Sequence, residues 1–174
     1  MILTDPPCRP VFKAFAVAPF ALLAAALLLQ HFAGHKPCPL CILQREGFLL
    51  VGLIALAAAI HNPGRRAALA YLGGILAAVL VGMGTAIRHI WVVHNPSLDC
   101  GFDELEQFVN RMFVAKALPQ FFHASGECVH QLDPIYGLTV PEWSLAWYVL
   151  LFVAAVLLVF KWSSATGTRA FGPG

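Results

Sequence analysis

The chain has 174 residues, of which 59% are hydrophobic and only 11% are charged. A soluble domain carries about 25% charged residues, so this composition excludes a soluble globular fold. It also excludes intrinsic disorder, which requires low hydrophobicity and high charge. The formal net charge of +2 is too small to indicate nucleic-acid binding. The composition therefore indicates an integral membrane protein.

Four apolar stretches are each long enough to cross a bilayer, whose core of about 30 Å needs about 20 helical residues. Each stretch is continuously apolar rather than alternating, which favours helices over barrel strands. We therefore predict an all-α membrane protein, a four-helix transmembrane bundle forming a single domain over residues 1–174. The predicted spans are residues 14–33, 42–61, 67–91 and 143–162.

The first stretch could also be a secretory signal, since basic residues precede it. It is as long as the other spans, and no small-x-small cleavage site follows it, so we interpret it as a retained anchor.

The basic residues predict the orientation, because the cytoplasmic flanks of spans carry an excess of Lys and Arg. One side of the bundle holds basic residues almost without acids, namely Arg9, Lys13, Arg65, Arg66, Lys161 and Arg169. The other side holds most of the acidic residues. We predict cytoplasmic termini, with the short loop 34–41 and the long loop 92–142 on the outer side.

Residues 102–113 of the long loop have an amphipathic pattern. The apolar residues that recur at helical spacing are Phe102, Leu105, Phe108, Val109, Met112 and Phe113. We predict a short helix that lies on the membrane surface in this second outer loop. A helix packed on other loop segments would give the same pattern.

Four of the five cysteines fall on the predicted outer side, where disulfides persist. They are Cys38, Cys41, Cys100 and Cys128. The fifth, Cys8, falls on the cytoplasmic side, and we predict that it is a thiol without a catalytic role.

The Cys38-Pro39-Leu40-Cys41 segment predicts an activated thiol at the membrane boundary. A Cys-x-x-Cys pair can close a small, strained disulfide that is easier to reduce than a structural bridge. Pro39 suits the opening of the second helix, which places Cys41 in the first turn, where exposed N–H groups favour a thiolate. Arg45 follows four residues later on the same helical face and would lower the pKa of Cys41 further.

The second pair suggests a relay. A disulfide between Cys100 and Cys128, in a long polar loop, would be accessible to the thiolate of a soluble protein. Electrons would enter there, pass to the Cys38–Cys41 pair and then need an acceptor. Because the chain has no flavin or nucleotide fingerprint, we predict a lipid-dissolved quinone, bound by Arg45 and by His89 as a second carbonyl partner or proton donor.

Other readings of these cysteines stay open. Four outer cysteines could bind zinc, but the wide separation of Cys100 and Cys128 and the two prolines around Cys38 disfavour a zinc knuckle, so we predict no metal site. Two inert structural disulfides in a non-enzymatic membrane scaffold are the other alternative.

The chain resembles the DsbB family of bacterial, quinone-coupled membrane thiol oxidases. The resemblance covers nearly the whole chain: four spans, Cys-Pro-Leu-Cys at the head of the second helix, Arg45, and a second cysteine pair in the long outer loop. Residues 118–128 (LPQFFHASGEC) and 137–143 (GLTVPEW) are close to family segments. The chain departs from the family pattern at Pro39, where an aliphatic residue is usual.

The resemblance implies an inner-membrane location and a partner, a reduced periplasmic thioredoxin-fold oxidase of the DsbA type. The partner's thiolate would attack Cys100 and release Cys128. Cys128 would then engage Cys38 and free Cys41 beside ubiquinone or menaquinone. Vitamin K epoxide reductase-like proteins are a related possibility, but their active Cys-x-x-Cys lies in the last core helix, and the fourth predicted span here contains no cysteine.

Overall fold

The computed structural model describes residues 8–32, 34, 36–95, 102–128 and 134–167. Four long helices, α1, α2, α3 and α7, are apolar enough to cross a membrane. Three short helices, α4 to α6, lie between α3 and α7. The bounds are α1 Cys8–Phe32, α2 Pro39–His61, α3 Arg65–His94, α4 Phe102–Arg111, α5 Phe113–Ala117, α6 Pro119–Phe122 and α7 Val140–Gly167. The predicted all-α, four-helix membrane fold is confirmed.

The long helices extend past the apolar stretches that predict them. Helix α1 begins at Cys8 rather than near residue 14, and α2 begins at Pro39 rather than near residue 42. Backbone hydrogen bonding continues through polar flanks, whereas hydropathy registers only the part that crosses the hydrocarbon. Consequently the ends of the helices, and with them Cys41, extend beyond the predicted spans.

The bundle packs in chain order, with α1 against α2, α2 against α3, and α3 against α7. Its interior contains fully buried Phe12, Val51, Leu72 and Tyr148. Large apolar side chains also cover the outside of the bundle, which is the pattern expected for helices that face lipid. Exposed examples are Val17, Leu28, Ile60, Val81, Leu157 and Phe160.

Tyr148 is the central packing element between α2, α3 and α7. Its ring stacks on Phe48 with centroids 4.1 Å apart, and its hydroxyl donates to the Gln44 carbonyl at 2.7 Å. A Cβ added at Gly82 would lie 2.2 Å from the Tyr148 ring, so only glycine admits this ring. The Tyr148 contacts fix the position of α2 next to α3, close to the end of the bundle where α2 begins.

The helix predicted in the long outer loop forms over Phe102–Arg111, and a separate helix begins at Phe113. Val109 on α4 is fully buried, in a cluster that includes Ile42 of α2 and Phe122 of α6. Phe108 and Phe113 remain 59% and 83% exposed. One side of the helix therefore packs on protein, while two phenylalanines next to it remain available to the membrane surface.

Candidate functional site

The Cys38–Cys41 pair lies at the N-terminus of α2. Cys38 is the N-cap residue, and its Sγ accepts a hydrogen bond from the Cys41 backbone N–H at 3.2 Å. Pro39 occupies the first turn, where its missing N–H costs nothing. The two sulfur atoms are 2.9 Å apart. Cys41 thus lies in the first helical turn, near the positive end of the helix dipole, which favours a thiolate.

The two sulfurs face different surroundings. Cys38 is fully buried, and this burial, together with the hydrogen bond to Cys41, raises the pKa of the Cys38 thiol well above its usual range. Cys41 is 9% exposed and lines a cavity in the bundle. The pair therefore has one sulfur enclosed by protein and one that opens toward a potential ligand.

Cys128 lies beside the enclosed sulfur. It is disulfide-bonded and almost completely buried. A ring nitrogen of His89 and the Sγ atoms of Cys38 and Cys128 all lie within 4.8 Å of one another. Cys100, the predicted partner of Cys128, lies outside the described residues, so this pairing stays a prediction. Cys128 is thus within a short movement of Cys38.

Backbone contacts hold the Cys128 segment in this position. The backbone N–H groups of Ser125 and Gly126 donate to the Pro37 carbonyl at 3.0 and 3.1 Å. A Cβ on Gly126 would lie 2.0 Å from the Lys36 carbonyl oxygen, so the approach requires glycine. On the other side, the Asn110 side chain makes two hydrogen bonds to the backbone of Ala124. These contacts dock the loop against the residues that precede Cys38.

His89 of α3 contacts both Cys38 and Cys128, which lie next to each other. The side chain is fully buried, with Nε2 3.6 Å from Cys38 Sγ and 3.4 Å from the Cys128 carbonyl oxygen. Its Nδ1 lies 3.0 Å from the amide nitrogen of Gln44. Among the described residues that line the cavity, Gln44 is present and His89 is not. The structure therefore places His89 against a cysteine, and its predicted contact with a quinone stays a prediction.

Arg45 lies at the polar end of the cavity and is held by three protein acceptors. Its guanidinium donates to the Gln30 side chain, to the Phe121 carbonyl at 3.0 Å and to the Ala26 carbonyl at 3.4 Å. Only 7% of the residue is exposed. The guanidinium is therefore a fixed positive charge on the cavity wall that also contains Cys41.

The cavity has a volume of about 320 Å³ and lies between α1, α2 and α7. Its polar groups come mainly from Cys41, Gln44 and Arg45, and the rest of its wall is largely apolar. Trp143 of α7 lines it and donates from its indole N–H to the Ile135 carbonyl at 2.9 Å, which fixes the turn at that side. A small apolar ring with polar carbonyls fits these walls, since such pockets combine apolar lining with a few oriented polar groups.

Sequence reasoning missed Gln30 and Gln44. Both are amides inside otherwise apolar spans, where a polar side chain is costly and marks a functional or structural contact.

Cys8 lies at the opposite end of α1 from the cysteine cluster, about 36 Å along the helix axis.

A membrane-embedded thiol–disulfide oxidoreductase is the class of protein that these four helices and this cysteine cluster define. Comparison with known proteins agrees: the sequence profile of the family described as "Disulfide bond formation protein DsbB" matches residues 8–158. The chain belongs to the DsbB family.

Relatives in the family cover almost the same length. A disulfide bond formation protein B of Cupriavidus necator is 41% identical over 154 residues, 87% of this chain and 92% of the relative. The protein of that name from Herminiimonas arsenicoxydans is 39% identical over 155 residues, 88% of this chain and 96% of the relative. The one from Burkholderia pseudomallei is 37% identical over 153 residues, covering 88% and 90%.

Proposed function

We propose that this protein is a quinone-coupled thiol:disulfide oxidoreductase that reoxidises a periplasmic dithiol oxidase of the DsbA type. Electrons pass from Cys100–Cys128 to Cys38–Cys41 and then to ubiquinone or menaquinone. One observation carries the proposal: the Cys38–Cys41 pair has Cys128 on one side and an apolar cavity on the other. A cysteine pair that only stabilised the fold would need neither a nearby cysteine nor an adjoining cavity.

The first exchange takes place in the outer loop. A thiolate of the reduced partner attacks Cys100, forms a mixed disulfide and breaks the Cys100–Cys128 bond. The partner's second thiol then resolves the mixed disulfide, so that the partner leaves oxidised and its two electrons remain in this chain.

The second exchange joins the two pairs. The Cys128 thiolate attacks Cys38 when Cys38 is in its disulfide with Cys41, and Cys41 departs as a thiolate. The Cys100 thiolate then attacks Cys128 and re-forms the Cys100–Cys128 disulfide, which leaves Cys38 and Cys41 as the reduced pair. The distance between the Cys38 and Cys128 sulfurs, within 4.8 Å, supports this step without a large loop movement. The positive end of the α2 dipole and the nearby Arg45 guanidinium stabilise the departing Cys41 thiolate, which favours breaking of the bond on that side.

His89 contributes at the same junction. With the Gln44 amide donating to Nδ1, the neutral ring carries its proton on Nε2 and directs it toward Cys38 Sγ. A hydrogen bond from Nε2 would stabilise negative charge on Cys38 as its bonds exchange. In this way the buried Cys38, whose thiolate is otherwise strongly disfavoured, can exchange with Cys128.

A bound quinone would accept two electrons and two protons and leave as a quinol. Cys41 and Arg45 would hold its headgroup at the polar end of the cavity, with the apolar walls of α1 and α7 around the ring. Arg45 also stabilises the Cys41 thiolate, because a fixed guanidinium favours nearby negative charge. The walls keep bulk water from the reduced pair.

Basic residues support the predicted orientation. Arg9 and Lys13 lie at the beginning of α1, Arg65 and Arg66 at the beginning of α3, and Lys161 near the end of α7. Because neighbouring helices run antiparallel, these ends share one side of the bundle. The positive-inside rule assigns that side to the cytoplasm, and the cysteine cluster at the other side to the periplasm.

Purified protein tests the proposal when it is mixed with a reduced thioredoxin-fold dithiol protein and a short-chain ubiquinone. We expect quinol formation, followed by ultraviolet absorbance, that is lost in Cys38→Ser and in Cys41→Ser and is unchanged in Cys8→Ser. Turnover that persists in either cysteine variant would contradict the proposed exit of electrons. Absence of any quinol with the unaltered protein would favour the scaffold alternative.

A further inference from the structure

Three metal-binding side chains meet at the junction of the two cysteine pairs. The Sγ atoms of Cys38 and Cys128 and a ring nitrogen of His89 lie within 4.8 Å of one another, and all three residues are buried. Cys41 Sγ is a further 2.9 Å from Cys38 Sγ. Cys128 is disulfide-bonded in the structure, so its sulfur becomes a strong ligand only after reduction.

We propose that the fully reduced protein binds one thiophilic divalent cation, such as Zn²⁺ or Cd²⁺, through Cys38, Cys128 and His89. Cys41 or a water molecule completes the coordination. This inference does not depend on a quinone or on a partner protein, because it requires only that both cysteine pairs are dithiols. In the metal-bound state, disulfide exchange between Cys38 and Cys128 would be inhibited.

The distances favour this site. Zinc binds sulfur at about 2.3 Å and imidazole nitrogen at about 2.0–2.1 Å, so tetrahedral ligand atoms stand about 3.5–3.8 Å apart. Cys38 Sγ and His89 Nε2 already lie 3.6 Å apart. Cys128 has to approach by about 1 Å at most to reach that spacing, since no pair of these ligand atoms exceeds 4.8 Å. The spacing of cysteines along the sequence could not indicate this site, because His89 comes from α3.

Protons and electrons balance in two stages. A dithiol reductant delivers two electrons and two protons to the disulfide of Cys128 and closes its own disulfide. A phosphine delivers two electrons and becomes a phosphine oxide, while water supplies the oxygen and the two protons. The cation then displaces one proton each from the Cys38 and Cys128 thiols, and both protons go to solvent, while His89 binds as a neutral ring. Burial disfavours a lone Cys38 thiolate, and a bound cation removes that cost by neutralising it.

Gln44 supplies the second contact of the histidine ligand. Metal-binding histidines usually donate their other ring N–H to a fixed acceptor. The Gln44 amide lies 3.0 Å from Nδ1 of His89. For cation binding this amide turns over from the donor arrangement used in disulfide exchange, so that its oxygen accepts the Nδ1 proton and the Nε2 lone pair is left for the cation. Gln44 is itself buried, so the ring orientation is fixed before binding.

The bound cation would block exchange, since it occupies the two sulfurs that have to form the Cys38–Cys128 bond. The state would accumulate when both pairs are reduced and no electron acceptor is available.

The test uses full-length protein in detergent micelles. The protein is reduced with a phosphine, the phosphine is removed under anaerobic conditions, and the protein is then titrated with Cd²⁺. We expect one equivalent to bind with thiolate-to-cadmium ultraviolet absorbance, and Zn²⁺ to displace it. The same preparation with both disulfides formed should not bind. If the oxidised and reduced forms bind Cd²⁺ equally, or the reduced form binds none, the proposal is wrong.

Variants identify the ligands. Cys128→Ser and His89→Phe should weaken Cd²⁺ binding at least 10- to 100-fold, and Gln44→Leu about tenfold, as for partners of metal ligands elsewhere. Cys100→Ser is the matched control: it leaves Cys128 as a thiol and should bind like the reduced unaltered chain. Circular dichroism checks that each variant is helical. Unchanged affinity in Cys128→Ser would reduce the site to the Cys38–Cys41 pair and overturn the proposal.

Discussion

Cys38 Sγ lies 3.6 Å from Nε2 of His89, in a fully buried contact between the residue that precedes α2 and the C-terminal part of α3. The same ring nitrogen lies 3.4 Å from the Cys128 carbonyl oxygen, so His89 touches both segments between which we propose disulfide exchange. Under that proposal His89 acts in the transfer of electrons between the pairs, and its contact with a quinone stays a prediction.

His89→Phe keeps an aromatic ring, somewhat larger than imidazole, and removes both ring nitrogens. We expect kcat for quinol formation to fall about 100-fold, in the range usual for loss of a proton-transferring group, with little change in KM for quinone. Steady-state kinetics at varied quinone concentration measures both. A raised KM with normal kcat would instead indicate that His89 binds the quinone, as first predicted from sequence.

Arg45→Met keeps the aliphatic stem and removes the charge at the polar end of the cavity. We expect KM for quinone to rise about tenfold or more, equivalent to about 1.4 kcal/mol of binding free energy. Exchange of the partner dithiol with Cys100, measured without quinone, should be nearly unaffected. Arg88→Met, a change at an exposed residue of α3, is the control and should behave like the unaltered chain. Equal quinone dependence in both variants would remove Arg45 from the site.

Gly82→Ala places a methyl group on the Tyr148 ring, 2.2 Å from its nearest atom. Overpacking of this kind costs about 1–3 kcal/mol, so we expect the detergent-solubilised protein to unfold about 2–10 °C lower. Gly84→Ala lies on the same helix, with nothing within 4 Å of the added carbon, and serves as the matched control. Thermal scanning fluorimetry measures both; identical midpoints would mean that α7 does not pack on α3 as described.

Gly126→Ala pushes the Cys128 segment off the Lys36 carbonyl. Because a misplacement of about 1 Å can cost up to 100-fold in rate, we expect exchange between the two pairs to slow by about 10- to 100-fold. Rapid-quench thiol labelling of the cysteines follows this step. Ser125→Ala retains the backbone hydrogen bond to Pro37 and should exchange at the normal rate. If both variants exchange equally fast, the docked loop does not limit the transfer.

Hydrophobic runs were enough to predict the four spans, because their signal is local. The position of Cys41 was also predictable, since Pro39 both opens a helix and limits where it can begin. The helix over residues 102–111 followed from its amphipathic pattern, but where its apolar side would pack did not, because Val109 contacts α2 and α6 from far along the chain.

The site itself depends on contacts that no local pattern encodes. Gln30 reaches Arg45 only because α1 packs on α2, and Gln44 reaches His89 only because α2 packs on α3. The sequence places His89 only near a helix end, whereas the folded chain shows that it contacts Gln44, which lines the cavity.

Formation of a Cys38–Cys128 disulfide tests the central claim most directly. In the Cys41→Ser/Cys100→Ser double variant, these two cysteines keep no other partner from the redox pairs. We expect mild oxidation to join them within one molecule, with the bond identified by mass spectrometry of peptides and unaffected by an added Cys8→Ser change. The Sγ atoms of Cys38 and Cys128 lie within 4.8 Å of each other. If both cysteines remain thiols, or form a disulfide only between molecules, the proposed transfer of electrons from Cys128 to Cys38 is contradicted.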